Sequence, residues 1–297
     1  MKCDLCPRKC LVDRKKGEKG ICGQTENLKV ARAALHFWEE PCISGDAGSG
    51  AVFFSGCPLH CVFCQNENIA NGTVGKEISL ERLVDIFLEL QEKRANNINL
   101  VTPGHFVPQI VKALDQARRE GLTLPVVYNT SSYETVDTIK MLEGCVDIYL
   151  PDFKYMSPVL SKKYSHAPDY AQVAKVAIAE MVRQTGKAVF VNGDEDNLIL
   201  SGTIVRHLTL PGCMADSIQI LKYLHETYGD MIYISIMNQF TPLSNLEKYP
   251  ELNRRITDEE YETLVDYAID IGIENGFIQE GDTAEESFIP AFDCEGV

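Results

Sequence analysis

The sequence predicts an α/β fold, and three observations carry that reading. Six short runs rich in β-branched residues recur along the chain, amphipathic helical stripes follow them in alternation, and 297 residues with 45% hydrophobic content suffice for one domain with a small appendage. The runs fall at 51–54, 98–101, 125–128, 146–150, 203–208 and 231–236. Ordered β/α alternation with right-handed crossovers builds either a doubly wound sheet or a barrel, and periodicity alone leaves both open.

Each helical stripe is recognisable in order. After the first run, Leu80, Leu83, Val84, Phe87 and Leu88 recur at helical spacing behind Ser79, an N-cap residue, with Glu81 in the first turn. Val107, Ile110, Val111 and Leu114 follow the second run, Val136, Ile139 and Leu142 the third, and Val173, Val176, Ala177 and Met181 the fourth. A weaker pair, Ile218 and Leu221, follows the fifth, and Tyr261, Leu264, Val265 and Ala268 follow the sixth. Before the fifth run, Val189 and Val191 face Leu198 and Leu200 across a polar turn, Asn192-Gly193-Asp194-Glu195-Asp196-Asn197, which reads as an extra hairpin. The acidic tip lacks EF-hand spacing and is read as a solvated turn. The acidic tail from Gly281 is expected to be mobile or to lie across a barrel end.

Charge and composition exclude other classes. The chain has 28 Lys and Arg against 43 Asp and Glu, a net charge of −15, which opposes phosphate binding, so no nucleic-acid partner is expected. No stretch reaches the roughly 18 apolar residues that span a bilayer, and the polar first residues show no signal-peptide run. A cytoplasmic protein without a membrane partner is the expectation. Eleven cysteines in a reducing compartment then argue for metal or redox chemistry rather than disulfides.

Seven of those cysteines cluster. Cys3, Cys6, Cys10 and Cys22 have C-x2-C-x3-C-x11-C spacing in a basic segment with Arg8, Lys9, Arg14, Lys15, Lys16 and Lys19. So few apolar residues cannot fold such a segment unaided, and a metal clip, zinc or an auxiliary iron–sulfur cluster, accounts for both composition and thiols. Cys57, Cys61 and Cys64 have C-x3-C-x2-C spacing directly after the first strand. A 4Fe-4S cluster held by three thiolates leaves one iron open for the amino and carboxylate groups of a substrate or cosubstrate. A closed zinc site would need a fourth ligand such as His60, whose neighbouring position makes closure awkward.

With Phe63 just ahead of the third cysteine, this loop resembles that of the radical S-adenosylmethionine superfamily. Over roughly 51–240 the chain resembles the glycyl-radical-enzyme activating enzymes, and most of all their pyruvate formate-lyase activating enzyme-like relatives. The resemblance implies an open six-stranded (β/α)6 partial TIM barrel at 46–245, preceded by a small Cys-rich segment at 1–45 and followed by a C-terminal helix and tail at 246–297. It implies a 4Fe-4S cluster on Cys57, Cys61 and Cys64, S-adenosyl-L-methionine as cosubstrate, and a one-electron reductant such as flavodoxin or ferredoxin. The implied reaction is reductive cleavage of the cosubstrate to a 5′-deoxyadenosyl radical that abstracts hydrogen.

Further residues carry over by position, with Phe63 itself placed against the cofactor. Where the family has Gly-Gly-Glu after the second strand, this chain has Thr102-Pro103-Gly104-His105, so a backbone carbonyl near Thr102 or Gly104 is expected to accept from the methionyl amine. His105 is a weak substitute for the carboxylate. Asn129, in Tyr128-Asn129-Thr130-Ser131-Ser132, stands where the activating enzymes have an Asp that helps hold a monovalent cation. Asp152 and Lys154 match the family's Asp-x-Lys and share one face of an extended segment, Lys154 for the cosubstrate carboxylate and Asp152 for the ribose or local cation network. Arg206 matches the fifth-strand Arg, whose fork suits a carboxylate or substrate backbone, while His207 points the other way into packing. Gln239 stands where a ribose-binding His would be.

Cys42 and Cys145 are expected as small buried hydrophobes, Cys213 near the active mouth, and Cys294 stands alone. The leading function is hydrogen abstraction from a protein or peptide, with activation of a glycyl radical enzyme as one form of it. Modification of a small molecule is the alternative within enzymes. A non-catalytic iron–sulfur or zinc redox-sensing module is the alternative outside them, and a sensor has no need of the sulfonium pocket that Asp152, Lys154 and the open loop imply.

Overall fold

Parallel strands covered on both faces must be apolar along their whole length, and this requirement explains which runs become the centre of the sheet. The computed structural model describes residues 2–194, 197–243, 246–279 and 290–297. In chain order the elements are β1 (Leu28–His36), α1 (Pro41–Ser44), β2 (Ser49–Phe54), α2 (Glu67–Ala70), β3 (Lys76–Ile78), α3 (Leu80–Glu92), β4 (Ile98–Val101), α4 (Val107–Arg119), β5 (Val126–Thr130) and α5 (Val136–Lys140). They continue with β6 (Ile148–Pro151), α6 (Pro158–Ser165), α7 (Tyr170–Thr185), β7 (Val189–Phe190), β8 (Ile199–Leu208), α8 (Met214–Tyr228), β9 (Tyr233–Met237), α9 (Asp258–Asp270) and β10 (Gly276–Ile278).

The sheet runs β10-β9-β8-β6-β5-β4-β2-β1-β3, with the short β7 pairing β8 outside that path. From β2 to β10 every neighbouring pair on the path is parallel, whereas β1 pairs antiparallel with both β2 and β3. The two ends of the path, β10 and β3, do not meet, so the α/β barrel is open. All residues of β2, β4, β5 and β6 are buried. The predicted stripes supply the outer layer, and Leu83, Val84 and Phe87 of α3 join Ile110, Ala113 and Leu114 of α4 in one apolar core.

The caps follow from local chemistry. The Ser79 side chain accepts from the Arg82 N–H at the start of α3, and Thr257 and Glu260 form a reciprocal capping box on α9. The hairpin predicted before the fifth strand is present, with Val189 opposite Ser201 and Phe190 opposite Ile199, and its tip residues Glu195 and Asp196 lie outside the described residues. Val176, counted in the α7 stripe, is instead 53% exposed.

Three strands and the short helices α1, α2 and α6 escape periodicity. β1 carries three alanines in Leu-Lys-Val-Ala-Arg-Ala-Ala-Leu-His, with a register shift between Val30 and Arg32 that breaks alternation. β3 and β10 are only three residues long, and α6 starts at a proline behind Ser157 with a mostly polar sequence. Residues 280–289 of the acidic tail lie outside the described residues, but its last part returns to the sheet. The Ala33 N–H donates to the Glu295 carbonyl at 2.8 Å, the Cys294 N–H to the Ala31 carbonyl at 3.0 Å, and Arg32 pairs with Asp293 at 3.0 Å. Among the described residues no helix is long and apolar enough to cross a membrane.

Phe87 is fully buried between α3 and the sheet, so Phe87→Ala is expected to cost about 3–5 kcal/mol in chemical denaturation. Val176→Ala on the exposed side of α7 should stay within about 0.5 kcal/mol, and equal losses for the two would contradict this core.

Candidate active site

The cysteine loop leaves β2 through Ser55 and Gly56. Gly56 has φ 96°, and a Cβ there would stand 2.5 Å from the Cys22 carbonyl oxygen, so only glycine fits without shifting the N-terminal segment. The loop then folds on itself, with the Cys64 N–H donating to the Cys61 carbonyl at 3.0 Å and the Val62 N–H to the Tyr164 carbonyl at 2.9 Å. Phe63 is buried among Tyr155, Tyr164 and Phe240, with ring centroids 6.1–6.5 Å apart. The Ser165 hydroxyl donates to the Cys61 sulfur at 2.9 Å. Burial, with the neighbouring thiols adding to it, pushes Cys57 up to about 11 and Cys64 up to about 12. Thiols in this setting stay protonated at neutral pH unless a metal stabilises their thiolates, which is the condition an iron–sulfur cluster supplies.

The same loop roofs a cavity of about 260 Å³ whose lining includes Cys57, Cys61, Cys64, Phe63, Asn129, Asp152, Lys154, Arg206 and Gln239. Arg206 on β8 is the hub of its floor. The guanidinium donates to Asp152 at 3.0 Å, to Glu39 at 2.9 Å and to the Asn129 side-chain oxygen at 2.7 Å. Lys154 donates to the other Asp152 oxygen at 2.6 Å. Backbone pairing sets these positions, since the Asp152 N–H donates to the Thr130 carbonyl and the Phe153 N–H to the Arg206 carbonyl, both at 2.8 Å. Asp152 and Lys154 therefore face the cavity together, while Phe153 between them is buried on the opposite side. Burial alone would raise the Asp152 carboxyl, but Lys154 and Arg206 outweigh it and hold it below the usual carboxylate range. Burial likewise works against the Lys154 ammonium, yet Asp152 and Cys61 leave it raised. Both groups are charged at neutral pH.

Of the residues that sequence reasoning singled out beside the cosubstrate, Gly104 is the one the structure keeps out of the cavity, and Thr102 lines it instead. Gly104 sits in a 3-10 turn (Gly104–Phe106) where a Cβ would meet the Glu134 carboxylate at 2.4–2.6 Å, so its glycine identity serves packing against Glu134. His105 is buried with its Nε2 2.7 Å from the Ser55 carbonyl oxygen, and burial lowers it to about 4, so it is a neutral loop residue. His207 is buried between the Phe153 carbonyl and the Ser217 hydroxyl, each 2.8 Å away, as expected of a packing residue. Cys42 is buried, Cys145 is partly exposed, and Cys213 is buried at the start of α8 and absent from the cavity lining.

Sequence reasoning missed the end of β1 and the segment that joins it to β2. His36, Trp38 and Glu39 line the cavity, and Glu39 also accepts from Asn99 at 3.0 Å and Asn129 at 3.2 Å. Glu40 beside it is buried and raised by that burial. The available signal was the only tryptophan of the chain followed by two acids and a proline, Trp38-Glu39-Glu40-Pro41.

Two of the N-terminal thiols are perturbed by burial. Burial pushes Cys6 up to about 12, with Glu134, Cys22 and Cys10 adding to it, and Cys22 is raised by burial in the same way. Among the described residues, no three His, Cys, Asp or Glu side chains are grouped closely enough to hold a metal as they stand, and this applies to both cysteine groups.

Glu134 offers a pH test of this region. Burial pushes its carboxyl up to about 7, against the hydroxyls of Thr130 and Tyr128, which donate to it at 2.8 and 3.2 Å. An unfolded Glu titrates near pH 4.3, so the stability from its protonated form is full below about that pH and is lost as pH rises through about 7. Glu134→Gln should flatten the fall in unfolding free energy across that window, and an unaltered slope in urea titrations would contradict the assignment.

The family model described as the Radical SAM superfamily matches residues 51–192. An uncharacterized protein of Methanocaldococcus jannaschii is 28% identical over 275 residues, covering 90% of this chain and 74% of that protein. Among solved structures, SuiB of Streptococcus suis bound to the precursor peptide SuiA has TM-score 0.50 and 12% identity, covering 79% of this chain and 49% of that one. HydG, a maturase of the FeFe-hydrogenase, has TM-score 0.52 and 15% identity, covering 78% and 52%. The chain spans about half the length of these solved structures, and at such identity they show the fold alone. The matched stretch contains most of β2, the three-cysteine loop and the Asp152 to Lys154 segment. The chain is thus similar to the Radical SAM superfamily over residues 51–192, and its open α/β barrel has the fold of these two solved structures.

Proposed function

We propose that this protein is a radical S-adenosylmethionine enzyme that takes hydrogen from a protein or peptide substrate. One observation carries the reading: Cys57, Cys61 and Cys64 open onto the same cavity as the charged floor of Asp152, Lys154 and Arg206. A metal held by three protein thiolates keeps a coordination position open for chemistry, whereas a closed site serves structure. Cys57, Cys61 and Cys64 would hold the cluster and Lys154 the carboxylate of S-adenosylmethionine, and together these groups would supply one-electron reductive cleavage of the sulfonium and, from it, hydrogen abstraction from the substrate.

The chain's own residues bind, orient and exclude water. Lys154 presents a buried cation for the cosubstrate carboxylate, and Asp152, shared between Lys154 and Arg206, sets where that cation stands. Glu39 and Asn129 fix the guanidinium plane of Arg206, whose remaining reach suits a carboxylate or a peptide carbonyl. Buried Phe63, Leu59 and Phe240 line the cavity beside the thiols and keep water from a reactive intermediate. Gln65 donates to the Gln239 carbonyl at 2.9 Å, tying the cysteine loop to the chain that follows β9, with the Gln239 side chain as a candidate ribose contact.

The open side of the barrel supports a macromolecular substrate, because a gap between end strands admits a loop that a closed eight-strand barrel excludes. The SuiB structure bound to its precursor peptide gives a precedent on a similar fold. Activation of a glycyl radical enzyme is the finer form of the proposal and rests on the resemblance to the activating enzymes. Electrons would come from a flavodoxin or ferredoxin.

Anaerobically reconstituted and reduced protein should convert S-adenosylmethionine to 5′-deoxyadenosine and methionine, read by chromatography. Lys154→Ala should retain the cluster spectrum but weaken cosubstrate binding by about tenfold or more, roughly 1.4 kcal/mol. Turnover that survives replacement of Cys57, Cys61 and Cys64 by Ala sinks the proposal.

A further inference from the structure

The N-terminal segment is ordered without a core of its own. Leu11 and Ile21 face solvent at 53% and 48% exposure, and Leu5 and Val12 are only half-buried. Yet its backbone is tightly folded around the four cysteines. The Cys3 N–H donates to the Val12 carbonyl at 2.9 Å and the Leu11 N–H returns to the Cys3 carbonyl at 3.0 Å, while the Lys9 N–H closes a turn onto the Cys6 carbonyl at 3.0 Å. Cys10 lies between Lys9 and Leu11, whose φ values of 42° and 55° are left-handed conformations that side chains of this kind avoid. Such a backbone persists only where something over-determines it.

The sulfurs sit inside this framework. The Ile21 N–H donates to the Cys10 sulfur at 3.3 Å, a bond that favours a thiolate acceptor, and a Cβ on Gly20 would come within 2.9 Å of that same sulfur. Cys6 has Cys10 and Cys22 as electrostatic neighbours, and Cys22 has Cys3 and Cys10. The four thiols are thus neighbours that a bound metal would draw together, since among the described residues no three of them stand close enough to hold it as they are, and the radical reading uses none of them.

The segment is also fastened to the catalytic loop. Arg8 donates to the Pro58 carbonyl at 2.8 Å and to the Ser165 carbonyl at 3.0 Å, and the Ser165 hydroxyl bonds the Cys61 sulfur. His60, between Cys57 and Cys61, has Nε2 2.7 Å from the Ile21 carbonyl oxygen, next to Cys22. His60 itself has φ 51°, so the loop's unusual backbone is held against the N-terminal segment.

We infer that Cys3, Cys6, Cys10 and Cys22 form a second, closed metal site of four thiolates, and that this site anchors the Cys57 loop through Arg8 and His60. The ligand is a thiophilic metal, supplied as one zinc ion or as an iron–sulfur cluster. Binding replaces four thiol protons by four metal–sulfur bonds, with no change of oxidation state at the protein, and supplies the folding free energy that the polar segment lacks. The inference stands whether or not the Cys57 loop performs radical chemistry.

The test uses the full chain with Cys57, Cys61 and Cys64 replaced by Ala, so that any tightly held metal belongs to the N-terminal site. Elemental analysis should find about one zinc, or about four irons with cluster absorption, per chain. A thiol-specific mercurial should release that metal to a chromogenic chelator without any further substitution, which covers the case in which ligand variants do not fold. Less than half an equivalent of zinc and iron together, or metal that the mercurial leaves in place, overturns the site. The anchoring is read in otherwise native protein, where Arg8→Ala should lower the iron retained by the Cys57 loop after reconstitution at least twofold. Undiminished iron in that variant overturns the anchoring.

Discussion

A buried guanidinium must satisfy its donors and balance its charge, and this constraint on Arg206 organises the rest of the site. Its partners come from distant parts of the chain: Glu39 from the connection between β1 and β2, Asn129 from β5, and Asp152 from the end of β6. Bringing them together requires β5, β6 and β8 to be neighbours in parallel register, which the sheet provides. Glu39 and Asp152 offset Arg206 and Lys154, so the floor is close to neutral although every member is charged. That balance lets four ionised groups sit in one buried cavity with the thiols.

The fold was largely legible in the sequence because its centre obeys local rules. All six predicted runs became strands of the parallel sheet, and the stripes headed by Leu80, Val107 and Tyr261 became α3, α4 and α9. What escaped detection depends on distant partners. β1 is a poor strand by composition and exists because β2 and β3 flank it, and Phe37 and Trp38 follow it out toward the cavity mouth as exposed aromatics.

Where a motif fixes both residue type and spacing, the residues it marks, the three cysteines, Phe63, and Asp152 with Lys154, come together on one cavity. Where a position was assigned by strand order alone, the structure separates the two backbone candidates, with Thr102 lining the cavity and Gly104 outside it. Gly104 follows the second predicted strand as expected, yet its turn faces Glu134. Glu39 lies more than 160 residues before Arg206 in the chain, and no local period marks a carboxylate whose partners are that remote. The N-terminal cysteines were visible as a group, but their attachment to the Cys57 loop through Arg8 and His60 appears only in the folded chain.

The central claim is that the open iron of the Cys57 loop and the Asp152 to Lys154 floor hold one and the same cosubstrate. Electron paramagnetic resonance of the reduced, reconstituted protein tests it directly, with S-adenosylmethionine carrying ¹⁵N in its amino group. The account predicts that the cosubstrate reshapes the cluster signal and that the ¹⁵N label adds a resolved hyperfine coupling, as expected for nitrogen bound to iron. A cluster signal identical with and without cosubstrate, and free of any coupling to the label, would contradict it.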